Sequence, residues 1–97
     1  MKLYLVHCGF YDKTIAHGLY ESHTNYFVVG EDFAQAKANV KQLTEYKQRK
    51  MHIDGIQEVE AVAGFEVSLK QSPKLAGASI VHDQTYRGTV TREATTL

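Results

Sequence analysis

Two short stretches of this chain set an imidazole and a carboxylate two positions apart: Glu21-Ser22-His23 and His52-Ile53-Asp54. Residues two apart on a strand point to the same side, so each stretch presents a base and an acid together. If the stretches lie side by side, two histidines and two carboxylates converge. Imidazole nitrogen and carboxylate oxygen suit zinc, manganese or non-haem iron. Glu21, His23, His52 and Asp54 are therefore the expected ligand-binding residues and candidate metal ligands, and a divalent metal is the cofactor such donors fit. With three of them on an ion, the fourth group, a carboxylate, could hold or deprotonate a metal-bound water, as in a small hydrolase or isomerase. Without a metal, His23 or His52 is the candidate catalytic base, Glu21 or Asp54 its orienting partner, and Tyr20 or Tyr26 a hydroxyl donor. A structural use competes with both. The same groups could bond to one another and to backbone, fixing two loops or lining a groove or a dimer interface.

The other candidates carry less. His17 follows Tyr11 and Asp12 in a long loop and could border a pocket, and His82 falls in a polar tail. Cys8 adjoins His7, and strand neighbours point oppositely, so the two form no dyad within one strand. The thiol reads as a small buried core residue. A single cysteine excludes an intramolecular disulfide and thiolate-rich zinc sites.

Eleven basic and eleven acidic residues cancel, which argues against a nucleic-acid partner, whose binders carry a basic excess on one face. The basic cluster Lys47, Arg49 and Lys50 follows an expected helix, where cations complement the carbonyl end. The apolar run near the N-terminus, Leu3 to Val6, is too short for a signal-peptide core or a membrane span. No membrane partner is expected, and the cytoplasm is the expected location. Hydrophobic residues at 43% and charged residues at 23% match an ordinary globular domain.

These groups need elements to position them. Leu3 to Cys8 is apolar on both sides, which predicts a central strand covered on both faces. Gly9 to Gly18 reads as a loop. Glu21 to Val29 is a second strand whose odd positions pass from polar Glu21 to apolar Val29. Asp32 with Gln35 resembles a capping box, and Phe33, Ala36, Val40 and Leu43 form one apolar stripe, so a helix is expected from about Asp32 to about Lys47. His52 and Asp54 then fall between this helix and a hairpin, Gln57 to Val62 with Phe65 to Lys70. Opposing Ala61 to Phe65 gives that hairpin a three-residue loop, Val62-Ala63-Gly64, with Gly64 left-handed. Pro73 ends the last strand. The expected fold is α+β: an antiparallel sheet in the order β-β-α-β-β with one helix on one face. The domain spans residues 1–71. A polar extension follows at 72–97, as a free arm, an extra edge strand or an arm pairing with another subunit. One helix covers one face, so a second copy is expected on the other, making the protein a homodimer.

Four stretches also carry a family resemblance: Gly18-Leu19-Tyr20-Glu21-Ser22-His23, Phe27-Val28-Val29-Gly30, His52-Ile53-Asp54-Gly55 and Gly64-Phe65-Glu66-Val67. In this order, over roughly residues 1–70, the chain resembles short bacterial proteins built from one or two copies of a domain of unknown function. It departs at Ala63, where that family tends to have an acid before the glycine. The resemblance implies a compact α+β domain and a tendency of domains to pair. It brings no substrate, cofactor or catalytic residue. The function expected from all this is a small homodimeric ligand-binding or interaction module with a His/carboxylate cluster. The alternative is a metal-dependent or His-carboxylate acid/base enzyme.

Overall fold

Alternate residues of the first strand have opposite fates. In the computed structural model, which describes residues 1–95, β1 (Lys2–Tyr11) is the centre of a three-stranded antiparallel sheet. It pairs with β2 (Glu21–Gly30) on one side and β3 (His52–Glu58) on the other. Its even residues Tyr4, Val6, Cys8 and Phe10 are buried and form the core with Val28, Ala36, Val40 and Met51. Cys8 is a free, fully buried thiol, and burial pushes its pKa up. The odd residues face the other way. Leu3 and Leu5 are half-buried, while His7 and Tyr11 are exposed.

The helical layer lies over the even face. Asp32 caps α1 (Phe33–Lys41): its carboxylate accepts from the Gln35 backbone N–H at 2.8 Å, and Gln35 Oε1 accepts from the Glu31 N–H at 2.6 Å. Of the expected stripe, Ala36 and Val40 are buried, Leu43 packs against the core, and Phe33 meets the Tyr4 ring edge-on at 5.3 Å. The single helix expected to reach Lys47 is two. Leu43 is extended (φ −63°, ψ 134°), and α2 (Thr44–Gln48) starts after it. This break lets both Leu43 and Tyr46 pack on the core.

Two expectations about strands need correction. Gly9 lies in β1, so the loop to β2 starts at Asp12. The segment 52–58, expected as part connector and part hairpin, is a main-sheet strand. A bulge hides it from a period-two reading. His7 pairs with Gly55 and Cys8 with Ile53, so Asp54 is the extra residue. The insertion returns both Ile53 and Ile56 to the core side, three positions apart.

The expected hairpin shrinks to β4 (Ala61–Val62) and β5 (Phe65–Glu66). Val62 opposes Phe65, which leaves a two-residue turn, Ala63-Gly64, with both φ positive (51° and 84°). Gly64 is left-handed as expected, but the three-residue loop is not found. That loop supposed a shared buried face. Val62 and Phe65 are exposed, so no burial fixes the register and the turn does.

The segment after Pro73 forms its own hairpin, β6 (Ala78–Thr85) and β7 (Gly88–Thr95). The Arg92 guanidinium pairs with Asp83 across it, and exposed His82 bonds Thr91 Oγ1 at 2.7 Å. Thr96 and Leu97 of the expected extension lie outside the described residues. The protein is thus mixed α+β with antiparallel sheets; two helices and two small hairpins replace the simple β-β-α-β-β order. Among the described residues, no helix is long and apolar enough to cross a membrane.

Candidate functional site

The strand register brings the two acid–histidine stretches together. Gly9 at the centre of the sheet pairs with His23 on β2 and with His52 on β3. The two histidines therefore stand two strand spacings apart, roughly 10 Å at the backbone, and reach toward each other over Gly9. His23 Nε2 lies 2.7 Å from Glu21 Oε1 and 3.1 Å from Asp54 Oδ2. His52 Nε2 lies 3.0 Å from the same Glu21 oxygen and 3.2 Å from Asp54 Oδ1. All four residues named from the sequence meet in one cluster on the sheet face that the helices leave open. Their side chains are 29–46% exposed, so solvent reaches the cluster.

Gly9 is its floor. A Cβ there would collide with Glu21 Oε1 and lie 2.6 Å from His52 Nε2 and 2.8 Å from Asp54 Oδ2. The β3 bulge supplies the other condition, because an extra residue in a strand re-aims its side chain. Asp54 is that residue, and its two oxygens serve the two histidines.

Three neighbours complete the site. The Tyr11 hydroxyl donates to Glu21 Oε2 at 3.3 Å. The His7 ring stacks on His23 (centroids 4.8 Å, interplanar angle 7°), and its Nδ1–H donates to Asn25 Oδ1 at 2.7 Å. Donor atoms of Glu21, His52 and Asp54 lie within 4.8 Å of one another, as do those of His7, His23 and Asp54. The hydrogen bond from His52 is the main cause holding the Glu21 carboxyl below its usual pKa, and the charges of both imidazoles add to it against the opposing effect of burial. The Glu21 charge and its hydrogen bond raise the Tyr11 phenol.

The expected hydroxyl donors are elsewhere. Tyr26 lies on the helix side, its hydroxyl 3.8 Å from Met51 Sδ, and Tyr20 is 70% exposed ahead of β2. Tyr11 occupies the place they were expected to fill. His17 sits in the 3-10 turn Ala16–Gly18 at φ 56°. Arg49, from the basic cluster, pairs with Asp12 and Glu45, both at 3.6 Å, and covers the Phe10 ring. A signal for the missed groups was present in the sequence: His7, Gly9 and Tyr11 alternate on β1 as Glu21, His23 and Asn25 do on β2.

An imidazole Nε2 carries one hydrogen at most, and each Nε2 here faces two carboxylates. Two hydrogens at most must serve four close contacts, while two negative groups share one small space. A metal cation would answer the shortage of hydrogens, while the imidazole charges answer part of the negative charge. Tetrahedral zinc, with bonds of about 2.0–2.1 Å, holds neighbouring donors about 3.3 Å apart; the four acid–histidine contacts here are 2.7–3.2 Å, and the donor atoms that all lie within 4.8 Å of one another come in threes.

No curated protein and no solved structure matches the chain. A family model matches residues 18–69, more than half of the chain and a span containing Glu21, His23, His52 and Asp54. The chain belongs to the family described as Domain of Unknown Function (DUF1543).

Proposed function

We propose that this protein is a ligand-binding module whose cluster of Glu21, His23, His52 and Asp54 holds a divalent transition-metal ion. The observation that carries the reading is the facing of both Nε2 atoms to both carboxylates over a residue without a Cβ. The solvent-facing side of the cluster leaves room for water or a small ligand, as catalytic metal sites keep an open position. That openness favours, as a second reading, a metal-dependent hydrolase or isomerase with Tyr11 beside the reacting group. The homodimer reading places a second copy on the apolar end of the same face, where Leu3 opposes Val29 and Leu5 opposes Phe27, beside the chain's own β6–β7 hairpin, whose Ile80 and Arg92 border the same cavity. Light scattering tests the dimer, and a monomer at working concentration removes it.

Elemental analysis of untagged protein tests the metal. Zinc, manganese or iron near one equivalent or above, lost in His23→Ala and His52→Ala while their melting temperatures stay close to the parent's, supports the reading. Metal-free protein whose two variants melt far lower assigns the cluster to structure instead.

A further inference from the structure

We infer that the centre is built for two ions, with Asp54 bridging them and His7 as an additional ligand. The inference rests on the metal-binding reading above and deepens it. The donors form two overlapping sets of three, His7/His23/Asp54 and Glu21/His52/Asp54, each with its ligand atoms within 4.8 Å, and Glu21 Oε1 of the second also lies 2.7 Å from His23 Nε2 of the first. Asp54 is the residue common to both. Its Oδ2 faces His23 at 3.1 Å and its Oδ1 faces His52 at 3.2 Å, so one oxygen is turned to each set. A carboxylate arranged in this way can bridge two cations, and paired ions in such centres stand about 3.5–4 Å apart.

His7 is prepared for this role. Its Nδ1–H is given to Asn25 Oδ1 at 2.7 Å, which leaves the Nε2 lone pair free. Histidines that bind metals commonly donate their other N–H to an acceptor in this manner, which fixes tautomer and ring angle. The His7 ring lies parallel to that of His23, centroids 4.8 Å apart, so their lone pairs run side by side and a shared ion requires one ring to turn toward the other. In strand order the site reads outward from Gly9. His7 stands one pair along β1 from Gly9, and it opposes Gly55, a second residue without a side chain, immediately after the Asp54 bulge. The register therefore leaves space beside His7 on the side where Asp54 enters.

Titration of metal-stripped protein with cobalt(II) alone, followed by calorimetry and visible absorption, decides the matter. The native chain should take up two equivalents. His7→Ala should take up one, and His7→Gln, which keeps a polar side chain on this exposed strand position, should agree with it. Asn25→Leu should retain two sites but weaken one by about ten- to a hundred-fold, the usual effect of losing such a partner. Saturation of the native chain at one equivalent, unchanged in His7→Ala, overturns the two-ion inference and leaves the single-ion reading standing. No cobalt bound at all overturns both.

Discussion

The two faces of β1 are made from one stretch of backbone and differ in almost every physical respect. On the even face Tyr4, Val6 and Cys8 are fully buried, and the helices press on them. On the odd face His7 and Tyr11 are exposed around Gly9, and the cluster groups are part-exposed and polar. The core face holds the sheet together. The open face uses that rigid backbone to hold its polar groups. Side chains on a strand cannot change sides, so a residue's parity decides which task it has. The comparison suggests that the two faces can be altered independently.

The largest effect should come from the core face. Tyr4→Ala removes a fully buried ring that also meets Phe33, and should cost about 3–5 kcal/mol in denaturant unfolding, as for other large aromatic truncations. An unfolded His23→Ala beside a folded Tyr4→Ala would reverse the comparison. The next is a gain. Among the described residues, the Tyr4 hydroxyl is the buried side-chain polar atom without a hydrogen-bond partner. Tyr4→Phe relieves that desolvation and should raise stability by about 1 kcal/mol, seen as a higher melting temperature. A loss of that size would mean the hydroxyl has a partner, such as a bound water.

The smallest effect on stability should come from Gly9→Ala, whose methyl enters the open face. The atoms it meets are the far ends of the Glu21, His52 and Asp54 side chains, which can swing into solvent. The chain should lose no more than about 0.5 kcal/mol and yet lose the metal binding proposed for the cluster, because the donors are spread apart. A cost of several kcal/mol would show that the cluster supports the fold, and that the faces are not independent.

Much of the open face was legible in advance. Glu21 and His23 could be paired because β2 is regular, and the core stripe of α1 followed from three- and four-residue steps with Asp32 as a real cap. His52 and Asp54 could be paired but not placed. The Asp54 bulge sets Ile53 and Ile56 three apart, and no period-two pattern survives that spacing. The place of Gly9 inside β1 is hidden for a related reason. Glycine in a sequence signals a turn, and only the neighbours of a strand reveal that its missing side chain is the room a site needs. The hairpin at Gly64 was legible in the sign of φ and not in the loop length, since exposed Val62 and Phe65 leave the register to the turn.

By itself the sequence determined the residue types of the site, the pairing within each stretch, the capped helix and the α+β class, all of which follow from local periodicity and side-chain chemistry. Tertiary structure alone decided that Gly9 lies between His23 and His52, that Asp54 turns one oxygen to each, and that His7, Asn25 and Tyr11 join them. The physical reason is that register and bulge position are set by how distant strands bury a common core. Residues 9, 23 and 52 meet only because that core, on the opposite face, aligns the strands that carry them.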